Sequence, residues 1–245
     1  MKQIYENYRD EDFEVWKILF DRQMENLPMA ASEAFMTGLD KIKFQATSIP
    51  DFGETNEILM DLTGWKLVVV PGIVRDYTFF ELMSNRCFPA TTWLRKMKEL
   101  DYLEEPDMFH DVFAHVPLLT NQAFVDFLEA LSKIGLAYHD DPYAIDILSR
   151  IYWYTVEFGL IAESSGTKIY GAGILSSAGE TKFCLSGQPP HHKFDVKKIA
   201  STGYAKNVFQ DEYFVIESYE ELYVSIPQVE QVVETMAKEK VMVAP

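Results

Sequence analysis

The chain has 245 residues, 48% of them hydrophobic and 24% charged, with a formal net charge of −16. That length can bury one sizeable core, and the apolar fraction argues against disorder. The acidic balance repels phosphate backbones and speaks against nucleic acid as a partner, and no uncharged stretch approaches the roughly 18 apolar residues of a membrane span.

The N-terminal stretch MKQIYENYRDEDFEVWK is charged throughout and has no apolar signal core. Phe13, Trp16, Leu19, Phe20 and Met24 then recur at helical spacing. Pro28 interrupts, and a helix resumes from Ala30 to Ile42. SIPDFGETNEIL reads as a turn and a short helix. Trp65 to Val70 (WKLVVV) reads as a strand ended by Pro71-Gly72, and DYTFFELM as a short helix. Asn121 to Ile134 is helical, with Phe124, Phe127, Leu128 and Leu131 on one face, and Pro142 opens a long helical pattern through Ala162. Short strands are predicted around Lys168–Tyr170 and Tyr213–Glu217. Ser218 to Lys240 closes the chain as an amphipathic helix or helix pair broken near Pro227. The fold class is mainly α (α+β), a helical domain with small sheet pieces and no doubly wound alternation. Cys87 and Cys184 make no disulfide scaffold and suit a reducing compartment, so a cytoplasmic location is expected.

Two features carry chemistry. EEPDMFHDVFAHVP holds His110 and His115, five residues apart, whereas the zinc-protease signature HExxH spaces them by four. On an ideal α-helix five residues is about 140° of rotation, so both rings reach one metal only if the helix ends or bends between them. Pro117 supplies a reason for such an ending, and Pro106 suits the first turn. The second feature is IYWYTVEFGLIA, where Glu157 is the only charge and its helical neighbours Trp153, Tyr154, Leu160 and Ile161 cannot neutralise it. A buried carboxylate is protonated, paired with a cationic side chain, or bound to a metal. Two histidines and one carboxylate form the facial triad of non-heme Fe(II) oxygenases, and the same set could hold a catalytic zinc. Either histidine could equally be structural, and Glu157 could sit in a buried ion pair. His191-His192 reads as an exposed loop, and Gly171-Ala-Gly173 as a backbone turn.

The order and spacing of DEDFEVWKILFDRQ, IPDF, LTGWKLVVVPG, FFELMSNRCFP, LDYLEEPDMFHDVFAHVPLL, IYWYTVEFGLI, IYGAGILSSAGE and FQDEYFVIESYEEL resemble the pterin-dependent aromatic amino acid hydroxylases. The likeness is to bacterial single-domain phenylalanine 4-hydroxylases and spans nearly the whole chain. It implies a mainly helical catalytic domain over residues 1–245 with an iron cleft, lacking regulatory and tetramerisation domains, and hence a monomer. It implies Fe(II) held by His110, His115 and Glu157. A tetrahydropterin such as tetrahydrobiopterin would supply electrons, with its ring on Phe79 and near Gly72, Ile73, Val74 and Asp111. L-Phenylalanine would be held by Arg95, with Tyr102, Leu103, Pro106, Trp153, Phe158, Gly173 and Ser176 about it, and Tyr152 would be catalytic. Tyr204 matches another site-lining position. Substrates would be L-phenylalanine and O2, and a 4a-hydroxypterin dehydratase would act downstream. Tyrosine or tryptophan hydroxylation, a zinc hydrolase, and a metal-stabilised scaffold are the other readings. Ala114 stands where most relatives carry glycine, so its backbone is expected to be right-handed. Lys206 replaces an aliphatic residue near the substrate cleft.

Overall fold

The computed structural model describes residues 1–101, 103, 105–206 and 208–243, so Tyr102 lies outside the described residues. Helices dominate, at Asp10–Met24, Glu33–Ile42, Phe52–Leu62, Asp76–Ser84, Gln122–Ala137, Pro142–Tyr152 and Ile226–Val243, with shorter turns between. Several starts are written in the sequence as caps. The Ser32 hydroxyl accepts from Phe35 N, Asp51 accepts from Gly53 and Glu54 N, and Asn121 accepts from Phe124 N. Asp141 accepts from Tyr143 and Ala144 N. Each satisfies a backbone donor that the first helical turn leaves open.

Two small sheets sit among the helices. Strands β1 (Lys66–Val69) and β2 (Cys87–Ala90) pair in parallel, with Lys66 opposite Cys87. The second sheet has the order β4-β3-β6-β5, from β3 (Leu160–Glu163), β4 (Gly166–Ile169), β5 (His191–Lys193) and β6 (Tyr213–Ile216). Only the β3–β4 pair is antiparallel.

Several predicted boundaries move. The second N-terminal helix starts at Glu33, because Ser32 N donates to Ile169 O and draws the chain across to β4 before the helix begins. The pattern from Pro142 does not continue to Ala162. It is α-helical to Tyr152, π-helical over Trp153–Glu157, and strand from Leu160. Gly159 makes that turn possible, since a Cβ there would stand 2.3 Å from Thr155 O and 2.2 Å from the Tyr170 ring. His191-His192 is strand rather than loop: His191 Nε2 bonds Cys184 O at 2.7 Å, and His192 meets Glu212 at 3.0 Å. Strand β2 contains Pro89 and was not predicted. It is a short two-stranded pairing that tolerates a missing donor. The C-terminal break falls at Ser225, and Pro227 sits in the first turn of the last helix, where its missing N–H costs nothing.

One hydrophobic cluster runs through the described residues. At its centre Phe109 and Phe113 stack at 4.6 Å, with Trp16 against Phe109 at 5.5 Å and Phe20 against Phe113 at 5.3 Å. These rings clamp one side of the segment that carries both candidate histidines. No described helix is long and apolar enough to cross a membrane.

Candidate metal centre

The histidine segment is not an α-helix that ends early. Residues Phe109–Ala114 are π-helical, and His115 follows directly. A π-turn closes i→i+5 hydrogen bonds and so brings a residue back over the one five before it. The five-residue spacing thus puts the rings of His110 and His115 side by side, centroids 5.0 Å apart at 80°. Helix widening does what a bend at Pro117 was expected to do. Pro117 instead lies in the following 3-10 turn, Val116–Thr120, and Pro106 precedes the helical segment. Ala114 has no positive φ and is fully buried, as its side chain requires.

Glu157 ends the second π-helical segment, whose Phe158 N–H donates to Trp153 O at 2.8 Å, five residues back. The Thr155 hydroxyl donates to Ile151 O at 2.6 Å, a back-bond that tends to bend a helix. The carboxylate reaches both histidines. His115 Nε2 lies 3.3 Å from one oxygen, His110 Nε2 lies 3.5 Å from the other, and the two Nε2 atoms are 3.2 Å apart. Among the described residues these three form the group able to hold a metal. Donors about 2.1 Å from one ion and at right angles stand about 3 Å apart, so the triangle fits a capping cation.

The protonation states fit as well. Burial pushes the His110 imidazolium down, against the pull of Glu157, which leaves the ring neutral. Burial pushes Glu157 up, but His115, His110 and the Gly173 N–H outweigh it, and the group stays below its ordinary value. Neutral imidazole and ionised carboxylate are the ligating forms. His110 Nδ1 lies 3.0 Å from the Ser176 hydroxyl, which itself donates to Ala172 O at 2.9 Å. That hydroxyl therefore accepts the Nδ1 proton and leaves Nε2 bare toward Glu157. Ser176, predicted to touch substrate, is placed behind a candidate ligand.

Arg95 is no surface arginine. It is buried, and its Nε and Nη2 both bond the fully buried Asp107 carboxylate at 2.9 Å. Asp107 also accepts from His110 N at 3.2 Å, so arginine and histidine share one anchor. Asp111 is buried beside His110 and accepts from Thr91 N and Oγ1 at 2.8 and 2.9 Å. Burial raises its carboxyl above the ordinary range, opposed by His110 and Thr91. Phe79 is half-buried, with its ring edge-on to Tyr152 at 5.3 Å. The Tyr152 phenol is raised well above its ordinary value by burial, then by Glu157 and Asp111, so it stays protonated and is no base.

Trp153 and Phe158 pack together at 4.6 Å, and Gly173 lies under Phe158, where a Cβ would come within 2.7 Å of the ring. Gly72 opens to free space, Ile73 is 73% exposed and Val74 is half-buried. Leu103 and Pro106 are half-buried and enter none of these hydrogen bonds or ring contacts. Sequence reasoning passed over Asp107, Thr91 and Gln210, the partners that hold Arg95, Asp111 and Trp153. Only Asp107 carried a signal, as an acidic residue three positions ahead of His110 at a helix start.

The comparisons agree with this geometry. A family model described as biopterin-dependent aromatic amino acid hydroxylase matches residues 3–242. The chain is 47% identical over 224 residues to a phenylalanine-4-hydroxylase of Chromobacterium violaceum, covering 91% of this chain and 75% of that one. A Ralstonia nicotianae phenylalanine-4-hydroxylase is 46% identical, with 91% and 71% covered. The fold superposes on the Chromobacterium enzyme bound to oxidised Fe(III) with a TM-score of 0.93 at 46% identity, covering 97% and 86% of the two chains. A cobalt-bound structure gives 0.91 at 45% identity, with 96% and 86% covered. A match this extensive, on a chain whose two π-helical turns converge one carboxylate and two imidazoles, leaves neither a zinc hydrolase nor a scaffold in play: the chain belongs to the biopterin-dependent aromatic amino acid hydroxylases.

Proposed function

We propose that the chain converts L-phenylalanine to L-tyrosine with O2, with Fe(II) held by His110, His115 and Glu157 and a tetrahydropterin as cosubstrate. The observation that carries this is the convergence of His110, His115 and Glu157 within 3.5 Å of one another. The aromatic wall of Trp153 and Phe158 stands beside it. Bound Fe(II) would supply the centre for oxygen activation, and the pterin two electrons.

The chain's own residues bind, orient and exclude water. Asp107 holds Arg95 by Nε and Nη2, which leaves Nη1 for the amino acid's carboxylate in a charge-assisted bond. The packed pair of Trp153 and Phe158 would wall one side of the substrate ring, with Gly173 leaving room for the Phe158 ring. The half-buried Phe79 ring, braced at steep angles by Phe80 and Tyr152, would stack on the pterin. Ser176 keeps the His110 Nδ1 proton away from the metal side. The Tyr152 phenol, held protonated by burial and by the Glu157 and Asp111 carboxylates, would act as a proton-bearing group and not as a base. Positioning of this kind lowers the barrier by fixing the encounter geometry.

A cytoplasmic location accords with two free buried cysteines, and a monomer with a net charge of −16 that keeps copies apart; a separate dehydratase would take the hydroxypterin. The test is tyrosine formation from phenylalanine by folded protein with Fe(II) and a tetrahydropterin, run beside tyrosine and tryptophan as substrates. No tyrosine above the metal-free control would overturn the proposal, and preferred turnover of tyrosine or tryptophan would reassign the substrate.

A further inference from the structure

Gln210 is 3% exposed, and both polar ends of its side chain are committed. Its Oε1 accepts the indole N–H of Trp153 at 2.8 Å. Its Nε2 donates to the carbonyls of Ala205 at 3.0 Å and Val208 at 3.3 Å. Its backbone N–H donates to Glu180 at 3.0 Å, a buried carboxylate that also takes the Tyr213 hydroxyl at the start of β6. The start of β6 is thereby tied, through Glu180 and Gln210, to the Trp153 indole and to the carbonyls of Ala205 and Val208.

Tyr204, one residue before Ala205, stacks its ring on Trp153 with centroids 4.3 Å apart and planes at 17°. Phe158 packs against the same indole, 4.6 Å away at 32°. Tyr204 and Phe158 are ring contacts that hold the indole through its faces. Stacking resists tilting but leaves a ring free to slide and pivot in its own plane. The hydrogen bond from Nε1 removes that freedom, because it fixes the indole's edge to one buried acceptor.

We infer that Gln210 is a positioning residue that sets the size of the substrate's ring pocket, by pinning the edge of Trp153 while its own amide is held by the carbonyls of Ala205 and Val208. The inference rests on the aromatic amino acid hydroxylase reading, in which Trp153 borders the substrate ring. It makes ring-size selectivity a property of a residue that touches no substrate. An apolar side chain at this position takes the acceptor from a half-buried indole N–H and releases the carbonyls of Ala205 and Val208, which belong to exposed residues and can turn to water, so the indole loses its edge contact and is free to pivot.

The experiment compares wild type, Gln210→Met and Gln210→Glu, each folded by circular dichroism and loaded with Fe(II). Three readouts are taken: KM and kcat for phenylalanine, kcat/KM for tryptophan, and the indole N–H signal of Trp153 in nitrogen-15 spectra of the metal-free protein. The indole signal is assigned by its loss in Trp153→Phe. For Gln210→Met the indole signal moves upfield and exchanges faster. KM for phenylalanine rises about tenfold, the scale of one lost hydrogen bond, while kcat changes less than threefold. The ratio of kcat/KM for tryptophan to that for phenylalanine rises by a similar factor. Gln210→Glu keeps the acceptor for the indole and loses the donors to the carbonyls of Ala205 and Val208, so its indole signal stays while KM rises by less than in the methionine variant. If Gln210→Met does not fold, the glutamate variant decides by the same readouts. An unshifted indole signal in Gln210→Met overturns the inference, as does, in either variant, a fall in kcat with KM and selectivity unchanged. Wild type without turnover would sink the parent reading instead, and the indole spectra would still report whether Gln210 holds Trp153.

Discussion

Ser176→Ala isolates the hydroxyl that stands behind His110. In the wild type that hydroxyl accepts from Nδ1 at 3.0 Å and donates to Ala172 O at 2.9 Å. Alanine fits the same short helical turn and creates no clash, so what is lost is the hydrogen bond and the ring orientation it enforces. Removal of such a partner behind a metal ligand weakens metal binding by roughly 10–100-fold, which is about 1.4–2.8 kcal/mol. Because metal binds the folded state, that loss also comes off the thermal stabilisation that metal confers. For a domain of this size it amounts to roughly 3–10 °C less metal-induced rise in Tm. The assay is a competition titration of Co(II) or Fe(II) against a chromophoric chelator, with thermal melts of the apo and loaded protein. Thr181→Ala is the control: its hydroxyl bonds Ile174 O and Ser177 O nearby but no candidate ligand, so it lowers apo stability and leaves metal affinity alone. Metal affinity of Ser176→Ala within twofold of wild type, with the fold intact, would refute the reasoning that this hydroxyl sets the His110 tautomer.

Gly171→Ala places a Cβ 2.4 Å from Glu157 O and 2.5 Å from Gly159 N, both backbone atoms. Overpacking of this kind costs about 1–3 kcal/mol or more, so the urea midpoint falls and metal binding weakens with it; an unchanged midpoint would show that the turn has slack. Arg95→Lys keeps a positive charge near Asp107 but loses the two-point grip, and KM for phenylalanine rises at least tenfold while bound metal stays stoichiometric. Arg95→Leu strands a fully buried carboxylate and loses about 3–5 kcal/mol in denaturant melts. Glu180 gives a pH test. Burial raises its carboxyl, opposed by Tyr213 and Gln210, so the folded state binds the proton more tightly than the unfolded one. Its contribution to stability is present below the ordinary glutamate value and is lost as pH rises through the raised one. Glu180→Gln, which cannot ionise, therefore gains stability relative to wild type between pH 4 and pH 7 in urea melts. A difference that stays flat across that window would show that Tyr213 and Gln210 fully offset burial.

The metal centre shows how far sequence carries. His110, His115 and Glu157 were legible as candidates because imidazole and carboxylate in apolar runs need partners, and resemblance to the family assigned them to iron. The route by which they meet was not. The five-residue spacing implied an interrupted α-helix, whereas a π-helical turn aligns the rings without interruption. Propensity and periodicity do not distinguish an α-turn from a π-turn there; the wider form appears only in the packed chain, where Phe109 and Phe113 stack and meet Trp16 and Phe20. The overextended helix after Pro142 fails for a similar reason. Leu160, Ile161 and Ala162 suit a helix or a buried strand equally well, and pairing with β4 and β6 settles the choice.

By itself the sequence determined the helices from Asn121 and Pro142, the strands at Lys66–Val69 and Tyr213–Ile216, the acidic balance, and the chemical identity of the candidate ligand set. Those are local or additive properties, readable from residue type and spacing. Tertiary structure alone decided that Arg95 is buried on Asp107, that Ser176 faces His110 rather than solvent, and that Gln210 holds the Trp153 edge. Each joins residues 12 to 66 positions apart in sequence, and no periodicity encodes such a pair. A buried polar group must find its partner wherever the packed core brings one within hydrogen-bonding reach.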